Sequence, residues 1–300
     1  MSKSFSIVIP CFNMEKFIST CLDSLVNQNY DINLLQILVV DDGSTNPELK
    51  NIVNQYQEKY ENIEYHPKKN NHWGSVINYV LENKLAKNDY VSILDADDFL
   101  DMNALKTINE ICDDHDVVSS AYARWYGNKK KGRFYSYPYL FKKVITDKYQ
   151  KQSPISIPIS WYAKKEVFYK LKNLVECIPF QDGNYTSQII MNAKSVKHTK
   201  KITCYYFIAR EGNTVNSKWD EKRVNQEYQC LLNLIDNDAQ EIVALRFLFY
   251  PPIRKAFLEN KKDLVVNRKF HFKWIPFYGR WAVNLMFLIS TKKFFSFKKI

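Results

Sequence analysis

YVSILDADDFL, residues 90–100, is the stretch that decides the fold. Tyr90 to Leu94 reads as a buried β-strand, yet Asp95, Asp97 and Asp98 follow within four residues. Like charges this close raise one another's pKa and repel. The cluster therefore needs compensation from solvent, backbone N–H groups or a bound cation.

Working outward, short apolar strands alternate with helix-period segments over the first 120 residues. Further strands are predicted at Ser6 to Pro10, Gln36 to Val40, Ile63 to Tyr65 and Val117 to Ser120. Phe17, Cys21 and Leu25 run beside Ile18, Leu22 and Val26, two i, i+4, i+8 rows that make one apolar helical face. That helix should span about four turns, with Asn13 as its N-cap. A second helix opens at Asn46, Pro47 and Glu48, a cap with Pro at the first turn. A third carries Val76, Ile77, Val80 and Leu81. Such alternation predicts an α/β fold, a Rossmann-like, mainly parallel sheet with helices on both faces. Ligands in these sheets bind at the carboxyl ends of the strands. The informative segments are therefore PCFN (10–13), DDGS (41–44) and DADD (95–98).

From Ala121 the pattern changes. YARWYGNKKKGRFYSYPY reads as a hairpin with a basic tip at Lys129, Lys130 and Lys131. LVECIPFQDGNYTSQIIMNA leads into a short helix opening near Asp182, and KITCYYFIAR follows as a strand. Val224 to Ile235 and Ile242 to Phe249 look helical, until Pro251 and Pro252 break the run.

Composition bounds the rest. With 300 residues, 46% of them hydrophobic, the chain can bury a core of one large domain or two small ones. Six cysteines without a C-x-x-C pair argue for reduced, mostly buried thiols rather than a zinc site or a disulfide framework. The N-terminus offers no signal peptide. The apolar run Trp281 to Ile289 falls short of the roughly 20 residues of a spanning helix. A cytoplasmic protein is expected.

The net charge of +11 is mostly a property of the tail. Between Arg268 and Ile300 eight basic residues interleave with ten aromatics and no acid. That mixture suits a segment lying on the inner face of a membrane, each base contributing roughly 1 kcal/mol near anionic lipid; the alternative is a C-terminal helix packed on the core. Nucleic-acid binding is not expected, since no recognition module accompanies the basic residues.

Five carboxylates, Asp41, Asp42, Asp95, Asp97 and Asp98, converge on one edge of such a sheet. A hard divalent cation held by one or two of them and by substrate phosphate oxygens would resolve the repulsion. Caps and turns are the bland alternative.

SIVIPCFNMEKFISTCLDSLVNQ, ILVVDDGSTN and YVSILDADDFL, in this order, resemble the N-terminal half of inverting family 2 glycosyltransferases with the GT-A fold. The resemblance is close over 4–115, looser over 116–216 and absent beyond 217. It implies a GT-A domain over 1–218, with a nucleotide-sugar-binding half at 1–115 and an acceptor-binding half at 116–218; the helical pattern and the basic, aromatic tail, not the resemblance, make 219–300 a helical extension suited to a membrane surface. The resemblance also implies a metal-dependent hexosyl- or N-acetylhexosaminyl-transferase acting on a cell-surface glycan, polysaccharide or lipid-linked.

The implied roles fall on matching positions. Pro10, Phe12 and Asn13, with Asp41 or Asp42, hold the base and ribose of a uridine diphosphate sugar, Asp42 being the first choice for the base. Asp97 binds Mn²⁺ or Mg²⁺, and Asp95 contacts the ribose or the metal's water. Asp98 either joins the metal or caps the next helix. The general base matches Asp182, preceded by Gln181 where many relatives have Glu. Arg210, and more weakly Thr214, match a late loop that contacts phosphate. Many relatives carry Arg before the Asn of the third helix; here Ile77 precedes Asn78, leaving His72, Trp73 and Gly74 to shape the donor pocket. His198 is either an additional metal ligand or structural.

Two rivals stand beside this reading. A nucleotidyltransferase would carry a Gly-rich basic loop after the first strand, which PCFNMEKF lacks. A non-catalytic, membrane-associated glycan-binding or scaffold protein would have no need of Asp182 and a complete DAD.

Overall fold

The computed structural model describes residues 2–127, 130–135, 158–178, 181–208, 210, 222–223, 225–226 and 229–230. Thr214, Lys129 of the hairpin tip, the helix expected at Ile242 to Phe249 and the basic, aromatic tail lie outside the described residues.

Four strands, β1 (Phe5–Cys11), β2 (Leu35–Asp41), β3 (Ile63–Pro67) and β4 (Tyr90–Ile93), pair in parallel in the order β3-β2-β1-β4. The register sets Ile7 beside Ile37 on one side and Ser92 on the other. Between them run α1 (Ile18–Val26), α2 (Glu48–Gln57) and α3 (His72–Glu82). Strand alternation then sorts the core into two layers. Phe5, Ile7, Ile9, Ile37 and Val39 meet α1, α2 and α4 (Ala104–Asn109). Val8, Leu38, Val40, Val91 and Ile93 meet α3, α5 (Lys165–Phe168) and α6 (Asp182–Asn192). Helices therefore cover both faces, as the sequence pattern predicts.

The second half is mixed rather than parallel. After the short β5 (Phe99–Leu100) come β6 (Val117–Trp125), β7 (Lys130–Tyr135), β8 (Trp161–Lys164) and β9 (Val196–Phe207). The sheet order is β3-β2-β1-β4-β8-β6-β9-β5, with β7 also on β6. β8 lies antiparallel between β4 and β6. Being antiparallel to the same strand, β4 and β6 point the same way, and β9 runs parallel to β6. The carboxyl ends of β1, β2, β4, β6 and β9 thus open on one edge.

α1 departs from the sequence expectation. It spans nine residues, about two and a half turns. Asn13 does not cap it: the residue has φ 54°, in the left-handed region, and the chain turns through Met14 to Phe17 before the helix begins. α2 opens at Glu48 with Pro47 as its N-cap, and Asn46 Oδ1 accepts from Glu48 N at 3.0 Å just ahead of it. The six cysteines form no disulfide, and five are buried. Among the described residues no helix is long and apolar enough to cross a membrane.

Candidate active site

The loops after β1 and β2 are tied together. Asn13 Oδ1 accepts from Thr45 N at 2.9 Å, and Asn13 N donates to Ser44 Oγ at 2.9 Å. Asp42 N donates to Cys11 O at 2.7 Å. Gly43 sits at φ +77°, where a Cβ would stand 2.8 Å from Asn70 N. Only glycine lets this turn close against residues 68–71.

Both carboxylates of the turn are buried, and each has partners. Asp41 accepts from Ser44 N at 2.8 Å and from the Tyr65 hydroxyl; burial and this carboxylate push the Tyr65 phenol well up. Asp42 Oδ1 accepts from Lys68 Nζ at 2.6 Å and Asn71 N at 3.0 Å. Phe12, by contrast, is 42% exposed at the mouth of β1.

The DADD cluster lies at the end of β4, and its three acids have three different surroundings. Asp95 Oδ1 accepts from Trp73 Nε1 at 2.9 Å. Burial, then Asp97 and Asp182, raise the Asp95 carboxyl to about 7, against the opposing pull of Trp73 and Arg210. Asp97 Oδ2 accepts from Arg210 Nε at 2.6 Å, an ion pair with little solvent around it. Asp98 is 1% exposed. Its Oδ1 accepts from Phe207 N at 2.8 Å, while Oδ2 is buried with no hydrogen bond among the described residues. Burial, then Asp97 and Asp95, push its carboxyl well up. Asp98 therefore anchors the end of β9 and does not cap α4, whose N-cap is Asn103.

Asp182 is the exposed first residue of α6. Its charge contributes to the raised Asp95 carboxyl, so the two share one electrostatic neighbourhood. Gln181, standing where many relatives carry an acid, is buried and donates to Cys230 Sγ at 3.0 Å. Trp73 links the two halves of the crevice: its N–H holds Asp95, and its ring meets Tyr185 of α6 edge-on at 5.8 Å. Gly74 makes this possible, because a Cβ there would stand 2.7 Å from Val175 O and 3.1 Å from Gln181 Cγ.

Two candidates sit elsewhere. Asn78 faces residues 174–176, donating to Leu174 O at 3.0 Å and Glu176 Oε1 at 2.9 Å and accepting from Leu174 N at 2.8 Å. Its amide clamps the segment that leads to α6 and is not brought to the carboxylates. His198 begins β9, beside Ser119 Oγ at 2.9 Å. It pairs with Ser119 across the sheet, three strands along from β4. Burial lowers its imidazole to about 4.

Two groups escaped the sequence reading. Tyr206 has its phenol pushed well up by burial and then by Asp98, Asp182, Asp95 and Asp97, which places it among all four acids. Lys68 is the other. Its only sequence signal is its position just past β3, the strand end left unread.

The oxygen-only donors Asp95 and Asp97 suit a hard divalent cation completed by phosphate oxygens. Among the described residues no three His, Cys, Asp or Glu side chains form a cage made of protein alone.

A parallel β3-β2-β1-β4 half, a mixed second half and an acid-lined carboxyl edge define a GT-A fold. The model of glycosyl transferase family 2 matches residues 6–172, and the chain belongs to that family: it is a glycosyltransferase. An uncharacterized glycosyltransferase of Mycoplasma pneumoniae, the MG060 homolog, is 35% identical over 97% of each chain. The poly(ribitol-phosphate) β-N-acetylglucosaminyltransferase TarS of Staphylococcus aureus is 32% identical over 111 residues, 37% of this chain and 19% of TarS. The crystal structure of TarS 1–349 with UDP-GlcNAc superposes with a TM-score of 0.69 at 19% identity, covering 96% of this chain and 88% of that one. A Pyrobaculum calidifontis mannosyltransferase with GDP-Man and Mn²⁺ gives 0.57 at 16% identity, over 96% and 81%.

Proposed function

We propose that this chain is an inverting glycosyltransferase that moves a sugar from a uridine diphosphate sugar to a hydroxyl of a cell-surface glycan or polyol acceptor, polysaccharide or lipid-linked. The observation that carries this reading is the convergence of Asp95, Asp97, Arg210 and Asp182 on one sheet edge, beside loops built around Asp41 and Asp42. The uridine donor draws support from the UDP-GlcNAc complex of TarS, and the anionic polyol acceptor from the TarS name.

Each residue then has a task. Pro10, Phe12, Asn13 and Asp42 form the base and ribose end, with Phe12 exposed where a base could stack. Asp95 and Asp97 would hold Mn²⁺ or Mg²⁺, and a cation bound there neutralises charge on the departing diphosphate. Arg210 adds a second positive charge to the same phosphates. Asp182 accepts the proton of the attacking hydroxyl, and a single in-line displacement inverts the anomeric carbon. The division at residue 218, the cytoplasmic setting and contact of the 268–300 tail with the inner membrane face belong to this proposal on sequence grounds.

The test is calorimetric titration of UDP into the full chain with Mn²⁺ and then with a chelator, on wild type and Asp97→Ala. Metal-dependent binding that the substitution removes is the expected result. Absence of binding under every condition overturns the donor assignment.

A further inference from the structure

We propose that Lys68 is a positioning residue that makes Asp42 a reader of uracil, selecting uridine over cytidine nucleotides. This rests on the assignment of Asp42 to the base.

Lys68 follows β3 directly, and its backbone N donates to Asp41 O at 2.8 Å, which fixes it against the DDGS turn. Its side chain is only 13% exposed, and that of Asp42 only 5%. The ammonium donates to Asp42 Oδ1 at 2.6 Å, Ser75 Oγ at 2.7 Å and Lys69 O at 2.7 Å. All three of its protons are used inside the protein. Lys68 is therefore not a cation held ready for phosphate.

On the carboxylate side the contacts are one-sided. Lys68 Nζ and Asn71 N both converge on Oδ1, and Ser75 Oγ lies 3.4 Å from the same atom. Oδ2 makes no hydrogen bond among the described residues. One oxygen is clamped and the other remains available as an acceptor. A buried ion pair is a weak source of stability, since apolar residues of similar volume often serve as well. What this pair does supply is a carboxylate of fixed orientation in a nearly dry position, on a turn held to the end of β1 by Asp42 N donating to Cys11 O.

The ligand chemistry follows from the free acceptor. A fixed carboxylate oxygen pairs with a ring N–H. Uracil presents one at N3, whereas cytosine presents a lone pair there and is repelled. A charge-assisted hydrogen bond of this kind sets a preference of about ten- to a hundredfold.

The experiment is titration of UDP and of CDP, each with Mn²⁺, into full-length wild type, Lys68→Met, Asp42→Asn and the double variant, with melting curves alongside. Wild type is expected to favour UDP, and Lys68→Met to lose about tenfold or more of that preference by weakening UDP binding selectively. Asp42→Asn loses it too, and the double variant loses no more than Asp42→Asn alone, because Lys68 acts through Asp42. Equal weakening of UDP and CDP by Lys68→Met would show a merely structural clamp and overturn the inference. If Lys68→Met does not fold, Asp42→Asn decides: an unchanged preference overturns the inference. Equal binding of UDP and CDP by wild type sinks this inference alone, whereas no binding of UDP sinks the donor assignment with it.

Discussion

Asp95→Asn is expected to stabilise the ligand-free chain at alkaline pH and to have little effect in acid. Burial, reinforced by Asp97 and Asp182, raises the Asp95 carboxyl to about 7, against an unfolded value of about 3.9. The sign follows from proton linkage. Because the folded-state pKa is the higher one, the contribution of Asp95 to stability is complete below pH ~3.9 and is lost as pH rises through about 7. Roughly three units at 1.36 kcal/mol each set a ceiling of about 4 kcal/mol for the cost of the ionised form above that window. Asn keeps an acceptor oxygen for Trp73 Nε1 and cannot ionise. The gain from Asp95→Asn is therefore small near pH 3.5, about 1 to 2 kcal/mol at pH 5 and about 2 to 4 kcal/mol at pH 8. Urea denaturation of both proteins at each pH, with a chelator present, measures the difference directly. A gain that does not change between pH 5 and pH 8, or a loss at pH 8, refutes the reasoning. Adding Mn²⁺ at pH 8 is expected to close the gap, because a cation that binds only the folded wild type raises its stability.

Asp182→Asn is expected to lower transfer by about 10² to 10⁴ while UDP affinity stays within twofold; a loss of UDP affinity in the titration would make Asp182 a donor-site residue instead. Gly74→Ala drives a Cβ to 2.7 Å from Val175 O, an overpacking that costs about 1 to 3 kcal/mol. Wild-type stability of that variant in denaturant would mean that the 174–175 segment yields freely.

The sequence made the carboxylate edge legible because strand ends in a parallel sheet leave little choice. Once Ile37 to Val40 and Tyr90 to Ile93 are strands, Asp41, Asp42 and the DADD acids must emerge on the same side. Strand partners are a different matter. Nothing in WYAK announces that it will lie antiparallel between β4 and β6, since periodicity reports a strand's faces and not its neighbours. Long-range side-chain pairing is equally silent. Asn78 reads as a site residue until its amide is found on Leu174 and Glu176, 96 and 98 residues away. Asn13 sits where a helix cap belongs, but its side chain binds the second loop, a contact that needs both strands in place. Lys68 gives no signal in the sequence beyond its position, because a lysine at a strand end is ordinarily solvated. Only the fold buries it against Asp42.

The way each acid is compensated argues for where a cation belongs. Asp42 has an ammonium within hydrogen-bond distance, and Asp41 has a backbone N–H and a phenol. Asp98 is buried with a backbone N–H on one oxygen, and burial favours its neutral form. Asp41 and Asp42 are settled without help from outside, while Asp98 keeps one buried oxygen without a hydrogen bond among the described residues. Asp95 and Asp97 are not settled: one indole N–H and one guanidinium serve two neighbouring carboxylates, and Asp95 still rises to about 7. Part of the residual electrostatic cost therefore lies at the pair whose oxygens suit a hard cation. Asp182 also acts on Asp95, so the charge imbalance and the base share one electrostatic neighbourhood. A fold that stored no such imbalance would gain little from binding metal and diphosphate together. Here their arrival would relieve an unfavourable contact in the crevice and release Arg210 from Asp97 toward phosphate.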